Sequence, residues 1–211
     1  MLLSFEGGEA SGKSAQARRL AEWLAARGED VVSLREPGST PVGERVREIL
    51  LHAKEIPLAA NTQALLFSAA RAQLVRDVIT PALAAGRVVI LDRYFDSTLA
   101  YQGAGHGVDQ SGLEAVTRFA VGDVRPSRTI LLDVPVEVSA TRARTRRTDR
   151  DWDRFEADEQ AFHQRVREGY LRLAAAEPGR FRVIRGDRDE ETVAADIRRD
   201  IEPLLGTLRA P

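Results

Sequence analysis

The sequence contains no cysteine. Disulfide bonds, thiolate nucleophiles and cysteine-based metal sites are therefore excluded. Lysine is nearly absent too, since only Lys13 and Lys54 occur and every other basic side chain is arginine. No apolar run approaches the roughly 20 residues of a membrane-spanning helix, and the formal net charge is only −1. We therefore expect a cytoplasmic protein that acts on neither nucleic acids nor membranes.

The hydrophobic content of 43% over 211 residues is enough for one complete core, so residues 1–211 are expected to form a single domain. Short apolar runs alternate with segments of helical periodicity. The runs lie at 1–5, 31–35, 88–92, 129–133 and 181–184. Continuously apolar strands between helices are typical of a parallel sheet covered on both faces. The sequence thus predicts a three-layer α/β fold, with a five-stranded parallel sheet flanked by helices.

Helices are expected where apolar residues recur at helical spacing. The segments are about 14–27, 42–52, 61–85, 112–121, 136–147, 155–176 and 190–205, with a short helix inside 94–104. Asn61 and Ser111 are candidate N-caps for two of them. Pro81 is expected to kink the helix that contains it, because proline lacks a backbone N–H.

The glycine-rich stretch Gly7–Ser14, GGEASGKS, fits the pattern GxxxxGK[ST] and lies between a strand and a helix. In that context it predicts a phosphate-binding loop (P-loop), whose backbone N–H groups surround phosphate oxygens. Lys13 would reach the β- and γ-phosphates, and the Ser14 hydroxyl would ligate Mg²⁺. The residues expected to bind ATP are Gly7, Gly8, Glu9, Ala10, Ser11, Gly12, Lys13 and Ser14.

Two aspartates end predicted strands and would lie near the P-loop, where ligands bind in open parallel sheets. We prefer Asp92 as the metal-side carboxylate, because Arg93 follows it and would place a phosphate-binding base beside the metal. For Asp133 an ordinary turn residue after a strand is an equally good interpretation. The predicted cofactor is therefore Mg²⁺, held by Ser14 and Asp92 together with ATP.

An arginine-rich stretch at about 142–154 allows three interpretations. It could be a solvated helix face with local ion pairs, which is the usual structure of such runs. It could be a nucleic-acid patch, although interleaved aspartates weaken that interpretation. We favour a short lid that closes over ATP and brings arginines to the transferred phosphoryl group.

Together these motifs resemble bacterial thymidylate kinases, a family of P-loop nucleoside monophosphate kinases. The resemblance rests on FEGGEASGKSAQ (5–16), REPGST (35–40), LLFSAARAQ (65–73), DRYFDSTLAYQG (92–103) and DRFE (153–156). It implies ATP-dependent phosphorylation of dTMP to dTDP in dTTP synthesis, by a homodimer. It also implies that the lid arginines Arg147 and Arg150 act in catalysis with Lys13 and Arg93.

The same resemblance implies roles at the acceptor nucleotide. Arg35 and Arg93 would hold its phosphate, Phe67 would stack on the thymine ring, and Arg71 would donate to a thymine carbonyl. Ser97, Thr98 and Gln102 would lie near the edge of the base, and Tyr101 would pack against the sugar. Glu9 would reach the 3′-hydroxyl, and Pro37 would shape the loop that carries the phosphate site.

The sequence departs from the family pattern in three places. Ala10 and Ser11 stand where one branch of the family has a P-loop arginine, so that charge must come from the lid. Ser39 replaces a common glycine, and His106 replaces a common arginine.

Competing interpretations come from other classes of P-loop protein. The nearest is a kinase of another nucleoside or nucleotide. A nucleotide-dependent switch would need ordered switch segments, and no matching pattern is present. A nucleic-acid-dependent ATPase would use the arginine-rich stretch and bind DNA in a salt-sensitive way.

Overall fold

The computed structural model describes residues 1–52, 56–146 and 156–208 of the chain. Within these residues, five strands form one parallel sheet in the order β2-β3-β1-β4-β5. The strands are β1 (Leu2–Glu6), β2 (Val31–Arg35), β3 (Val88–Asp92), β4 (Arg128–Asp133) and β5 (Phe181–Arg185). The predicted α/β fold with a five-stranded parallel sheet is confirmed.

Helices cover both faces of the sheet. They are α1 (Lys13–Ala25), α2 (Pro41–Arg47), α3 (Ala60–Leu74), α4 (Thr80–Ala84), α5 (Phe95–Thr98), α6 (Gln110–Val121), α7 (Val136–Arg146), α8 (Glu156–Ala176) and α9 (Glu190–Leu208). Successive residues of a strand point to opposite faces. Leu2 accordingly packs with the α3–α6 side, while its neighbour Leu3 packs with α1 and α9.

Three connections are π-helical rather than α-helical: Glu48–His52 after α2, Val75–Ile79 between α3 and α4, and Leu99–Gly105 after α5. The second of them precedes Pro81, which occupies the first turn of α4. A proline in a helix interior removes a backbone donor and collides with the preceding turn. The widened turn before it explains how the helical path continues past the predicted kink.

Both predicted N-caps were wrong. Helix α3 starts one residue earlier than predicted, with Ala59 as its N-cap, and the Asn61 side chain only accepts a bond from Thr62 N at 2.9 Å. Helix α6 is capped by Asp109, which accepts from Gly112 N at 2.7 Å and from Ser111 Oγ at 2.6 Å. Ser111 therefore supports the cap instead of forming it.

The strand order fixes the position of the functional residues. Strand β1 lies between β3 and β4, and Phe5 is in register with Asp92 on β3 and Ile130 on β4. The loop after β1 is therefore flanked on one side by Asp92 and on the other by Asp133. This is the crevice at the carboxyl ends of the strands, where open parallel sheets bind ligands.

Candidate active site

The loop from Gly7 to Gly12 joins β1 to α1 in a conformation that its glycines permit. Gly7 and Gly12 have φ angles of 139° and 94°, which side chains rarely tolerate. A Cβ on Gly7 would also lie 2.5 Å from the backbone oxygen of Leu132. The chain thus comes close to β4 at Gly7 and enters α1 directly at Lys13, leaving the first N–H groups of the helix without helical partners.

Lys13 is buried, and its ammonium group bonds to the loop itself. Its Nζ donates to the backbone oxygen of Gly8 at 2.6 Å and to Ser11 Oγ at 3.2 Å. Burial, together with the positive charge of Arg93, lowers the pKa of Lys13 to about 7. A polyphosphate in the loop would supply the negative charge that this buried amine lacks.

Ser14 and Asp92 lie in direct contact. The Ser14 hydroxyl donates to Oδ2 of Asp92, so a hydroxyl and a carboxylate oxygen meet beside the P-loop. Oxygen ligands of this kind suit Mg²⁺. Asp133, the alternative acid, forms an ion pair with Arg167, whose Nε and Nη2 lie 2.6 and 2.9 Å from its two oxygens.

A crevice of about 630 Å³ opens beside the P-loop. We call it the central crevice. It brings together the sequence-predicted residues Glu9, Ala10, Lys13, Ser14, Arg35, Pro37, Phe67, Asp92, Arg93, Ser97, Thr98, Tyr101 and Gln102. Residues far apart in the sequence thus face one space, which includes P-loop residues and the aromatic side chains of Phe67 and Tyr101.

Arg93 is fixed in the central crevice by hydroxyl groups. Nη1 donates to Ser97 Oγ at 3.0 Å and to Tyr170 Oη at 3.2 Å, and Nη2 donates to Tyr101 Oη at 3.1 Å. Its backbone has a φ of 72°, in the left-handed region. Burial disfavours its charge, but the neighbouring Tyr101, Tyr170 and Glu6 outweigh that effect and raise the pKa. Arg93 therefore remains a cation.

Glu6 organises the residues around Arg93, although sequence reasoning gave it no role. Its carboxylate is fully buried and accepts from Tyr94 N at 2.7 Å, Ser97 Oγ at 2.6 Å and Tyr170 Oη at 2.8 Å. Burial and the nearby Asp96 raise the pKa of Glu6 to about 7, against the opposing effect of Arg93. Glu6 could have been recognised from the sequence as a charged residue at the end of an apolar strand. Nothing in the sequence around Tyr170 on α8 indicated that it belongs to this site.

Arg71 does not itself line the central crevice: its side chain is 1% exposed and bonds to two residues that do, Glu36 and Thr98. Its Nε donates to Glu36 at 2.8 Å and its Nη2 donates to Thr98 Oγ1 at 3.1 Å. Nη1 is buried and has no hydrogen-bond partner among the described residues. Burial raises the pKa of Glu36 to about 7, although Arg71 lowers it. A buried donor without an acceptor points to one supplied by a ligand.

The loop after β2 positions Arg35. Nη2 of Arg35 lies 2.9 Å from both oxygens of Glu44, and the side chain is half exposed. Ser39, which stands where the family commonly has glycine, has a φ of 64° that explains that preference. Arg47 also lines the central crevice and donates to the backbone oxygen of Pro37 at 3.0 Å. The sequence analysis did not single it out.

Only the first part of the predicted lid, 142–146, lies within the described residues. Nη1 of Arg142 donates to the backbone oxygen of Gly186 at 2.9 Å, beside a cavity of about 240 Å³ lined also by P-loop residues 10–12. Arg147 and Arg150 lie outside the described residues, so their catalytic role stays a prediction. Residues 153–155 of the motif DRFE also lie outside the described residues.

His106 stands at the edge of the central crevice, where the family commonly has arginine. Its ring centroid lies 4.6 Å from that of Phe162 on α8. Burial and the neighbouring Arg165 lower its pKa. His106 therefore contributes an aromatic surface to the edge of the crevice and not a permanent charge.

Two kinds of feature are absent from the described residues. These residues contain no group of three or more His, Cys, Asp and Glu side chains arranged to hold a metal ion. A helix long and apolar enough to cross a membrane is likewise missing from this part of the chain.

A parallel sheet, a P-loop after its central strand and a second, arginine-lined site in the same crevice define a P-loop nucleotide phosphotransferase. Similarity to known proteins shows to which family of P-loop phosphotransferases the chain belongs. The family model described as thymidylate kinase matches residues 5–197. This chain belongs to the thymidylate kinase family, and the predicted family and enzyme class are confirmed.

Individual relatives agree along nearly the whole chain. A thymidylate kinase of Symbiobacterium thermophilum is 45% identical over 205 residues, covering 97% of this chain and 94% of that protein. One of Geobacter sulfurreducens is 46% identical over 199 residues, covering 92% and 93%. The crystal structure of thymidylate kinase from Ehrlichia chaffeensis superposes with a TM-score of 0.79 at 32% identity, covering 96% and 98%.

Proposed function

We propose that the chain transfers the γ-phosphoryl group of ATP to the 5′-phosphate of dTMP, giving dTDP and ADP. The observation that supports this proposal is that two groups of side chains suited to binding phosphate line one crevice. Lys13 and Ser14 mark the first, and Arg35 and Arg93 mark the second. Two phosphorylated ligands bound at these sites would meet end to end.

The reaction needs no general base. An oxygen of the dTMP phosphate forms the new bond to the γ-phosphorus, and the bond to the β–γ bridging oxygen breaks as ADP leaves. A phosphate monoester has its second pKa near 6, so the attacking oxygen is largely deprotonated at neutral pH. Catalysis then consists of positioning and charge neutralisation by Lys13, Arg93 and the lid arginines Arg147 and Arg150.

The thymine base binds at the far wall of the central crevice. Phe67 stacks on its ring. Nη1 of Arg71, which lacks a protein partner, donates to a thymine carbonyl. Thr98 and Gln102 complete the polar edge of this base site.

The sugar lies between the two sites. Tyr101 packs against it and leaves little room for a 2′-hydroxyl, while Glu9 accepts from the 3′-hydroxyl. Pro37 shapes the loop that carries Arg35. Ser97 lines the crevice too, but its hydroxyl is bonded to Glu6 and Arg93, so we assign it to the phosphate site more than to the base edge.

Mg²⁺ is the proposed cofactor. Ser14 and Asp92 would hold it, and their contact supports the assignment. When bound, the ion would neutralise the charge of the β- and γ-phosphates. The small number of protein ligands fits a metal that usually keeps several waters and binds substrate phosphates.

We further propose a homodimer. Exposed apolar side chains lie on three neighbouring helical regions: Val42 on α2, Leu65 on α3 and Phe119 on α6, which are 45%, 57% and 93% exposed. Large apolar patches on a protein surface mark interaction sites, and these side chains lie on helices that pack side by side, α2 on α3 and α3 on α6. The cytoplasmic location predicted from the sequence stays a prediction.

A coupled assay of ADP release tests the proposed function. ADP formation from ATP should require an acceptor, should be fastest with dTMP among dTMP, dCMP, dAMP and dGMP, and should require Mg²⁺. ATP turnover independent of any acceptor would contradict the proposal. Preference for another monophosphate would move the activity to a different kinase of the same fold.

A further inference from the structure

Gln63 and Gln102 form a chain of two amides at the base end of the central crevice. Gln63 is on α3, one turn before Phe67, and Gln102 is in the π-helical segment after α5. Nε2 of Gln63 donates to the backbone oxygen of Leu58 at 3.1 Å. Nε2 of Gln102 donates to Oε1 of Gln63 at 3.2 Å. Both glutamines line the central crevice.

The backbone carbonyl fixes the direction of this chain. A carbonyl oxygen can only accept, so the amide of Gln63 must turn its NH₂ group to Leu58 and its oxygen to Gln102. Oε1 of Gln63 in turn can only accept, so Gln102 must turn its own NH₂ group to Gln63. The amide oxygen of Gln102 is then left on the side away from Gln63. Among the described residues, no hydrogen bond to this oxygen is present.

We propose that Gln63 is a specificity-determining residue: by holding the NH₂ group of Gln102, it presents the Gln102 amide oxygen as an acceptor for N3–H of the thymine base. This inference rests on the proposed binding of dTMP. Thymine carries a donor at N3, whereas cytosine carries an acceptor there. A fixed acceptor therefore favours thymine and repels cytosine, since two facing acceptors leave a buried group unpaired.

Gln63 acts on the base only through Gln102. It differs in this respect from Phe67 and Arg71, which are placed against the base themselves. Without Gln63, the amide of Gln102 could rotate by 180° and offer either group to the base, because its nitrogen and oxygen have nearly the same shape. Gln102 would then still line the crevice, but the orientation of its amide group would no longer be fixed.

The test compares dTMP with 5-methyl-dCMP, which keeps the methyl group and inverts the hydrogen-bonding edge. Dissociation constants for both are measured by calorimetry on the full chain, and their ratio expresses discrimination. Gln63→Lys replaces the acceptor by a donor and should turn the Gln102 amide, so the ratio should fall about tenfold or more. Gln63→Leu removes the acceptor and should lower the ratio about three- to tenfold.

Two further variants serve as controls. Gln63→Glu gives up the bond donated to Leu58 but keeps an oxygen facing Gln102, and should keep the wild-type ratio. Gln73→Leu makes the same change on the same helix at a residue bonded to Asp77, and should leave both dissociation constants as they are. Circular dichroism and ATP affinity establish that each variant is folded. If Gln63→Lys does not fold, Gln63→Leu carries the comparison.

The outcomes separate the inference from the proposed function. A wild-type ratio in folded Gln63→Lys or Gln63→Leu would refute the role of Gln63. An equal fall in Gln63→Glu would also refute it, because any change at the position would then disturb the site. Failure of the wild type to bind dTMP would instead refute the proposed function.

Discussion

Arg93 depends on hydroxyl groups whose direction is set by a carboxylate. Ser97 and Tyr170 each have one hydroxyl proton, and both donate it to Glu6. With their protons directed to Glu6, the two hydroxyl oxygens present lone pairs to Arg93. Arg93 donates a hydrogen bond to each of these oxygens. Glu6 therefore keeps the acceptor-side arginine in place from behind, without contact with a ligand.

These contacts show which site residues a sequence can reveal. Lys13, Ser14 and Asp92 belong to short patterns whose chemistry is local, so they were predictable. Glu6 and Tyr170 are 164 residues apart and meet only through the packing of α8 on the sheet. Such a long-range contact cannot be predicted from the spacing of residues along the chain.

Replacing Glu6 by glutamine should change how stability varies with pH. Burial raises the pKa of Glu6 in the folded protein to about 7, above the ordinary value of 4.5 for a glutamate. The stabilisation from the bound proton is therefore complete below pH 4.5 and is lost as the pH rises through 7. From pH 5 to 8 the free energy of unfolding of the wild type should fall relative to that of Glu6→Gln.

Urea unfolding at several pH values in that range measures this difference. Glu114→Gln removes an exposed carboxylate on α6 and serves as the control, with a curve parallel to the wild type. A Glu6→Gln curve parallel to the wild type would show that Glu6 stays ionised throughout.

Lys13→Ala should lose most phosphoryl transfer while the fold persists. Among the described residues, the partners of Lys13 are Gly8 and Ser11 of the P-loop itself. Its removal should therefore affect the charge facing the phosphates more than the core. Steady-state kcat and the thermal midpoint are the two measurements. Turnover close to that of the wild type would refute the assignment of the P-loop.

Phe67→Ala should weaken dTMP binding by about ten- to a hundredfold, because stacking of a base on an aromatic ring contributes about 1–3 kcal/mol. KM for ATP should change little, since Phe67 lies on α3 and is not part of the P-loop. Separate titration of each substrate gives the two constants. An equal rise in both would indicate a folding defect and not a lost stacking contact.

At the scale of the element, strands were easier to predict than helix ends. The strands are continuous apolar runs, and β2 and β3 lie at the predicted residues. The π-helical segments were missed because apolar periodicity does not separate an α-helix from a locally widened turn. The caps were missed because Asn61 and Ser111 were predicted from residue type alone. The residue that caps α6 is the one whose side chain reaches a free backbone N–H of the first turn, and this is Asp109.

Helix α8 packs closely on the π-helical segment Leu99–Gly105, and this contact can be tested at Gly169. A Cβ there would lie 2.5 Å from Cβ of Ala104. We expect Gly169→Ala to lower the free energy of unfolding by about 1–3 kcal/mol, because overpacking outweighs the gain in helix propensity. Urea unfolding measures it.

The matched control is Gly206→Ala on α9, where an added Cβ has no atom within 4 Å. That variant should be no less stable than the wild type. Because α8 carries Tyr170 and the π-helical segment carries Tyr101, Gly169→Ala should also raise KM for dTMP. Unchanged stability would mean that the two elements separate without cost.

At the scale of the whole molecule, the apolar surface on α2, α3 and α6 should bury itself in a second copy of the chain. Phe119→Asp places a charge in the proposed contact and should shift sedimentation at micromolar concentration from dimer to monomer. Phe119→Leu keeps an apolar side chain and should remain dimeric. A monomeric wild type would contradict the homodimer.

The scarcity of lysine has a practical consequence for labelling. An amine-acylating reagent can modify only the terminal amine, Lys54 and Lys13, and Lys13 is 7% exposed within the P-loop. Intact-mass spectra of the acylated protein would therefore contain very few species, and one of them reports directly on the amine of the P-loop. Protection of that amine by added nucleotide would turn a simple mass measurement into an occupancy assay for the ATP site.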